Sequence, residues 1–196
     1  MDHMPVRREL AMTAGEANRR AVVFVIPIIL LLGIPYYFLW LRDLSLDGLI
    51  GFFRNNLYLG KLNLLRMLII LVAGIVLHEL IHGLIFLIFS KKGLKSITFG
   101  IMWSYLAPYC HCKEPLPVRP YIIGALMPAF VLGFVPAGIG ILTGNLLLLF
   151  FGMIFAVASG GDYLIVWLLR GQPKDTLVMD HESKVGCYIL EKPSEL

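Results

Sequence analysis

Along the chain, four long apolar runs alternate with short polar or charged stretches. The runs are residues 21–41 (AVVFVIPIILLLGIPYYFLWL), 65–90 (LRMLIILVAGIVLHELIHGLIFLIFS), 121–143 (YIIGALMPAFVLGFVPAGIGILT) and 146–169 (LLLLFFGMIFAVASGGDYLIVWLL). None sets an apolar stripe against a charged face, so each predicts a helix that is apolar all round. At 1.5 Å per residue, about 20 residues cross the roughly 30 Å of a bilayer core, and every run is at least that long. Four membrane-crossing helices follow, the first of them kinked by Pro27 and Pro35. A signal peptide would have a shorter apolar core and end in small residues. The first run instead ends in Phe38, Leu39 and Trp40, which predicts a retained span.

The stretches between the runs have characters of their own. Residues 42–64 mix charge with aromatics and predict a surface-lying or loop segment, with Phe52, Phe53 and Tyr58 suited to the head-group zone. Lys91-Lys92-Gly93 closes the second run, the glycine being suited to a helix C-terminus. Beyond it, residues 96–105 are rich in β-branched and aromatic types, and Pro108, Pro115, Pro117 and Pro120 follow. A strand or hairpin at the membrane surface, or dipping into it, is the expectation. Its edge would take up an extended peptide. Gly144-Asn145 predicts a tight turn between the last two runs, and in the polar tail residues 176–179 and 185–190 are expected to pair across 180–184. The predicted fold class is therefore mainly α: a polytopic membrane helix bundle of about four spans with a short β-hairpin or strand-like loop after the second. One domain over residues 1–196 is expected, with a polar N-terminal tail at 1–20 and a cytosolic tail at 171–196.

Composition strengthens the membrane reading. The chain is 58% hydrophobic and 15% charged, with a mean hydropathy of +0.80, whereas a soluble domain is about half apolar and about a quarter charged. The net charge of +4 therefore points to lipid head groups rather than to nucleic acid. Placing both termini and residues 91–120 in the cytoplasm puts Arg7, Arg8, Arg19, Arg20, Lys91, Lys92, Lys95, Lys113, Arg119, Arg170 and Lys174 inside. Residues 42–64 outside keep Arg42, Arg54 and Lys61, partly offset by Asp43 and Asp47. A multi-pass protein of a prokaryotic cell membrane, with both ends cytoplasmic, is the expected location.

The candidate chemistry lies where the apolar pattern is broken. Apart from the juxtamembrane Arg66, the ionisable residues inside the four runs are His78, Glu79, His82 and Asp162. A charge at the centre of a span costs roughly 2.5–3.5 kcal/mol on insertion scales, so each needs a partner or a purpose. Residues 78–82 read HELIH, the HExxH spacing of zinc peptidases. On a helix His78 and His82 lie about 40° apart on one face, with Glu79 beside them. Asp162 is the natural third ligand for Zn2+, because catalytic zinc takes three protein ligands and leaves one position open. Glu79 would act as general base and then acid, moving a proton from a zinc-activated water to the leaving amine. Ser159-Gly160-Gly161 would let the last helix come close or unwind locally beside Asp162. The same four residues would also serve a His–Asp packing cluster, a non-catalytic zinc-binding adaptor, or an ion or proton pathway.

Further polar groups compete for attention. Cys110, Cys112 and Cys187 are too few and too oddly spaced for a secreted disulfide framework and read as reduced thiols. On a strand Cys110 and Cys112 would share a face opposite His111, and a CHC metal cluster is one reading of them. Glu114-Pro115 is expected to shape the loop, and Asp180-His181-Glu182 to form a solvated turn.

HELIH within a span, the loop ending APYCHCKEPL and a later membrane Asp together resemble a family of integral-membrane zincin peptidases, related in plan to the site-2 proteases. The similarity extends from about Leu64 through the DHESKVGCYIL tail. It implies an HExxH helix, a crossing helix and an Asp-bearing helix around one zinc. His78, His82 and Asp162 are then the metal ligands and Glu79 the catalytic acid/base. Where site-2 proteases carry an Asn-Pro upstream of a Leu-Asp-Gly, this chain has Ala158-Ser159-Gly160-Gly161-Asp162-Tyr163. The expected partners are the lipid bilayer and a membrane-protein or peptide substrate.

Overall fold

In a computed structural model, residues 6–56, 64–103 and 107–191 are described. In chain order the elements are β1 (Val6–Met12), α1 (Ala14–Ala21), α2 (Val25–Tyr36), α3 (Leu46–Asn56), α4 (Leu64–Phe89), β2 (Ile97–Met102), β3 (Ala107–Cys112) and β4 (Leu116–Pro117). There follow α5 (Val118–Pro128), α6 (Val135–Thr143), α7 (Leu146–Ala158), α8 (Gly160–Leu169), β5 (Leu177–Asp180) and β6 (Val185–Glu191). Three helical stretches, Ala14–Leu41, Leu65–Phe89 and Val118–Thr143, are long and apolar enough to cross a membrane. The pair α7 and α8, broken at Ser159, makes a fourth if taken as one span. The protein is a mainly α, polytopic membrane protein with small antiparallel sheets.

The prolines loosen these helices in a particular way. Proline lacks the N–H that would bond the carbonyl four residues before it, which weakens the helix around it. Pro35 is followed by a π-helical turn at Tyr37–Leu41, and Pro128 by another at Ala129–Phe134. Of the stretch expected as a surface-lying or loop segment, α3 occupies Leu46–Asn56, and residues 57–63 lie outside the described residues. Tyr58, Ser104 and Tyr105 lie outside the described residues.

The chain divides into two compact bodies. One comprises residues 22–78 and 128–160. Here α6 and α7 form a hairpin whose turn is built by Gly144 and Asn145. Gly144 adopts a left-handed backbone (φ 72°), which a residue with a Cβ resists, and the Asn145 side chain caps α7 by accepting from the Leu147 and Leu148 N–H groups at 3.1 Å each. The Tyr36 hydroxyl donates to Gly144 O at 2.8 Å, and the Trp40 indole N–H to Ile141 O at 2.8 Å, tying the first span to this turn.

The other body comprises residues 1–21, 79–127 and 161–196. Its four-stranded antiparallel sheet has the order β1-β6-β5-β4, and a separate hairpin pairs β2 with β3. The tail hairpin forms as its apolar alternation predicts, with Leu177 opposite Leu190 and Met179 opposite Tyr188. The N-terminal segment, expected as a polar tail, instead supplies β1, which pairs along its whole length with β6 from Val6 opposite Glu191 to Met12 opposite Val185. The core of this body is Phe86, Cys112, Leu116, Val118, Tyr121, Leu169, Val178, Cys187 and Ile189. Glu114 shapes the loop as expected. Its carboxylate accepts from the Lys91 and Lys92 N–H groups at 3.1 Å and from the Ser96 hydroxyl at 2.8 Å. The Ser96 hydroxyl, then the Lys92 N–H, hold it below its ordinary pKa.

Candidate metal centre

Helix α4 exposes most of its apolar side chains, as a span in lipid does, among them Leu77, Leu80, Leu84 and Ile88. The covered positions include Gly74, His78, His82 and Phe86, spaced four apart along one stripe. His82 is the most enclosed of the ionisable residues there, at 7% exposure, while His78 and Glu79 are half-buried. Two contacts orient the His82 ring. Its Nδ1 lies 2.9 Å from the Gly124 carbonyl oxygen on α5, and its Nε2 lies 3.4 Å from Asp162 Oδ1 in the first turn of α8.

The tautomer follows from the first contact. A carbonyl can only accept, so Nδ1 carries a proton, and in the neutral ring Nε2 has its lone pair on the side of the Asp162 carboxylate. In that neutral form the two acceptors would be satisfied by a cation held between them. The separation fits one: ligands at about 2.0–2.1 Å from a tetrahedral zinc stand about 3.3–3.4 Å apart. A direct hydrogen bond from an imidazole N–H would bring these atoms to about 2.7–3.2 Å. His78, one helical turn before His82 on the same unbroken helix, completes the set. His78, His82 and Asp162 each offer a ligand atom, and the three atoms lie within 4.8 Å of one another. Two imidazoles and one carboxylate make a donor set that catalytic zinc uses. Among the described residues it is the one His/Cys/Asp/Glu group with such geometry, and Cys110, His111 and Cys112 are not among its members.

A cavity of about 590 Å³ opens beside His82. Glu79, Asp162 and Phe86 line it from the helices, Pro108 to His111 from β3, and the turn between β5 and β6 forms a further wall. The cysteines are free thiols. Burial pushes Cys112 up to about 11 and Cys187 up to about 12, and raises Cys110 likewise, so none is a reactive thiolate at neutral pH.

The expected solvated turn holds for Glu182, which is exposed in a bend, but Asp180 and His181 correct it. Asp180 lines the cavity. One carboxylate oxygen accepts the Cys112 N–H at 2.6 Å and the other accepts the Tyr121 hydroxyl. Burial raises its pKa, opposed by the bonds from Tyr121 and Cys112 and by the nearby His111 and His82. His181 is equally committed. Its Nδ1 accepts from the Ser183 and Lys184 N–H groups at 3.1 and 3.0 Å, and its Nε2 sits 3.1 Å from Glu9 of β1. Glu9 also meets Lys184 at 2.6 Å, which lowers the pKa of Glu9 and raises that of Lys184. A signal for Asp180 was present, since alternation along β5 puts it on the face of the fully buried Val178.

The family described as "Putative zincin peptidase" matches residues 71–177, more than half of the chain. The chain belongs to that family. No curated protein and no solved structure matches it. For a member of the zincin family zinc is the implied metal, and the His78, His82 and Asp162 group fits it. Membership supports a zinc metallopeptidase. The match ends at residue 177, so Asp180 and the β6 strand of this zincin-family chain lie beyond it, as does β1 at the other end.

Proposed function

We propose that this chain is a zinc-dependent endopeptidase of site-2-protease type, hydrolysing a peptide bond within or near the bilayer. The observation that carries the reading is the 3.4 Å approach of His82 Nε2 to Asp162 Oδ1, inside an apolar span and beside Glu79. In this reading His78, His82 and Asp162 hold the metal. Bound zinc would supply a water of lowered pKa and polarise the scissile carbonyl. Glu79 takes the proton of the attacking water and passes it to the leaving amine. Gly124 O keeps the His82 proton on Nδ1 throughout, so that Nε2 stays a ligand.

Metal analysis of the purified full-length protein tests this directly. We expect about one zinc per chain in the wild type. The His78→Ala, His82→Ala double variant should hold none. A wild type without zinc would overturn the reading.

The substrate is a membrane protein or peptide in extended form, because a helical carbonyl is already hydrogen-bonded within its own helix. Most of the hairpin residues that line the cavity belong to β3, which favours its edge over that of β2 for holding the peptide. Lys113 N donates to Ser96 O across the hairpin, whereas Cys112 N turns outward to Asp180. In an antiparallel ladder the outward groups recur every second residue, so the Cys110 main chain faces the same way. A Cys110→Pro variant, lacking that N–H, is expected to raise KM with little change in kcat. An unchanged KM would remove the edge-pairing step.

A further inference from the structure

Asp180 carries an assignment that neither the motif nor the family match contains. It sits where three elements meet. β5 is held in register by β6, with Asp180 opposite Cys187, and by β4, with Leu116 opposite Val178. From that frame one carboxylate oxygen reaches the Cys112 N–H at the end of β3, and the other accepts the hydroxyl of Tyr121 on α5.

Tyr121 leads to the metal centre by two routes. Its ring stacks on Phe86 at 5.4 Å between centroids and 25° between planes. Phe86 in turn lies nearly parallel to the His82 imidazole, at 6.1 Å and 12°. Three residues on from Tyr121 along α5, Gly124 supplies the carbonyl that holds His82 Nδ1. The fit leaves no slack, since a Cβ on Gly124 would stand 2.2 Å from the Phe86 ring. One turn of α5 therefore holds the His82 ring both by its face and by its edge. Among the described residues, the polar contact that ties that turn to the tail sheet is the bond between Tyr121 and Asp180.

We infer that Asp180 is a positioning residue for the metal centre, setting the orientation of the ligand His82 through Tyr121, Phe86 and the Gly124 carbonyl. The inference rests on the metal-binding reading above. A carboxylate suits the task because it accepts on both oxygens. An asparagine would accept on one and turn an NH₂ towards a donor at the other. The sheet formed by both ends of the chain thus acts as the frame against which the intramembrane ligand is aligned.

Titration of the purified full-length apoprotein with Co2+, read by affinity and by the visible ligand-field spectrum, tests the assignment. Outer-shell changes at metal sites weaken binding about 10–100-fold, and we expect about 10-fold for Asp180→Asn with an altered spectrum. Tyr121→Phe, which keeps the ring stack and loses only the hydroxyl, should give the same change. The double variant should be no weaker than either single one, because both remove one bond. Val178→Ala, a core truncation on the same strand face, is the control: it should lower thermal stability and leave the spectrum alone. If Asp180→Asn does not fold, Tyr121→Phe decides. Wild-type affinity and spectrum in these variants would overturn the positioning role while leaving the metal reading intact. A wild type that takes up no Co2+ would overturn both.

Discussion

Replacing Glu79 by Gln is expected to lower peptide hydrolysis by about 10²–10⁴-fold while the protein keeps its zinc. Glutamine has nearly the shape of glutamate, so α4 and its two histidines should stay as they are. What is lost is a group that can receive a proton and return it. Glu79 is half-buried and lines the cavity beside His82, next to the ligand set but not part of it. Replacing a ligand should behave differently, since Asp162→Asn would lose metal and turnover together. Paired measurements of zinc content and of cleavage of a membrane-embedded or extended peptide therefore separate the two roles. A Glu79→Gln protein that still turned over at the wild-type rate would mean that zinc is held for some purpose other than hydrolysis.

The second large effect concerns the body formed by residues 22–78 and 128–160. In a membrane, helix association cannot draw on the hydrophobic effect and depends on close backbone approach through small residues. Gly133 and Ala137 on one helix, and Gly152 and Ala156 on the other, repeat at four-residue spacing on the facing surfaces of the hairpin that contains α6 and α7. A Cβ on Gly152 would stand 2.4 Å from Gly133 O and 2.5 Å from Ala137 N. Both are backbone atoms, which cannot rotate away. Gly152→Ala is therefore expected to push the helices apart and cost about 1–3 kcal/mol, within the range for overpacked cores. Gly138→Ala is the control, because nothing lies within 4 Å of a Cβ there. It should be neutral or slightly stabilising through helix propensity. Unfolding of the two variants in detergent checks the contrast, and equal stability would show that this contact does not govern the hairpin.

The small-residue repeat shows how far local pattern reaches. The glycines of residues 121–143 are visible in the sequence, yet their partners on α7 are known only from the fold. The bends follow the same rule. Prolines at 35 and 128 signal that a helix must yield, but not that it yields as a π turn just after each. At Ser159-Gly160-Gly161 the glycines offered either close approach or local unwinding. The chain breaks at Ser159, and a Cβ on Gly161 would meet nothing within 4 Å.

By itself, the sequence determined the spans, the tail hairpin and the ligand candidates. Each depends on short-range physics: the length of an apolar run against the bilayer, the two-residue period of a strand, the four-residue turn that brings His78 beside His82. The scarcity of ionisable groups in lipid extended that reach to Asp162, because an intramembrane charge must find a partner. Only the tertiary structure decided the rest. It paired Val6–Met12 with Val185–Glu191, strands from opposite ends of the chain whose own residues name no partner. It turned Asp180 from an expected solvated turn into the anchor of Tyr121, and it put the Gly124 carbonyl against His82. Pro128, four residues on and without an N–H, leaves the Gly124 carbonyl without a helical donor, a mark legible in the sequence, but that His82 is the group that meets it is not. That choice depends on which helices meet, and at what distance.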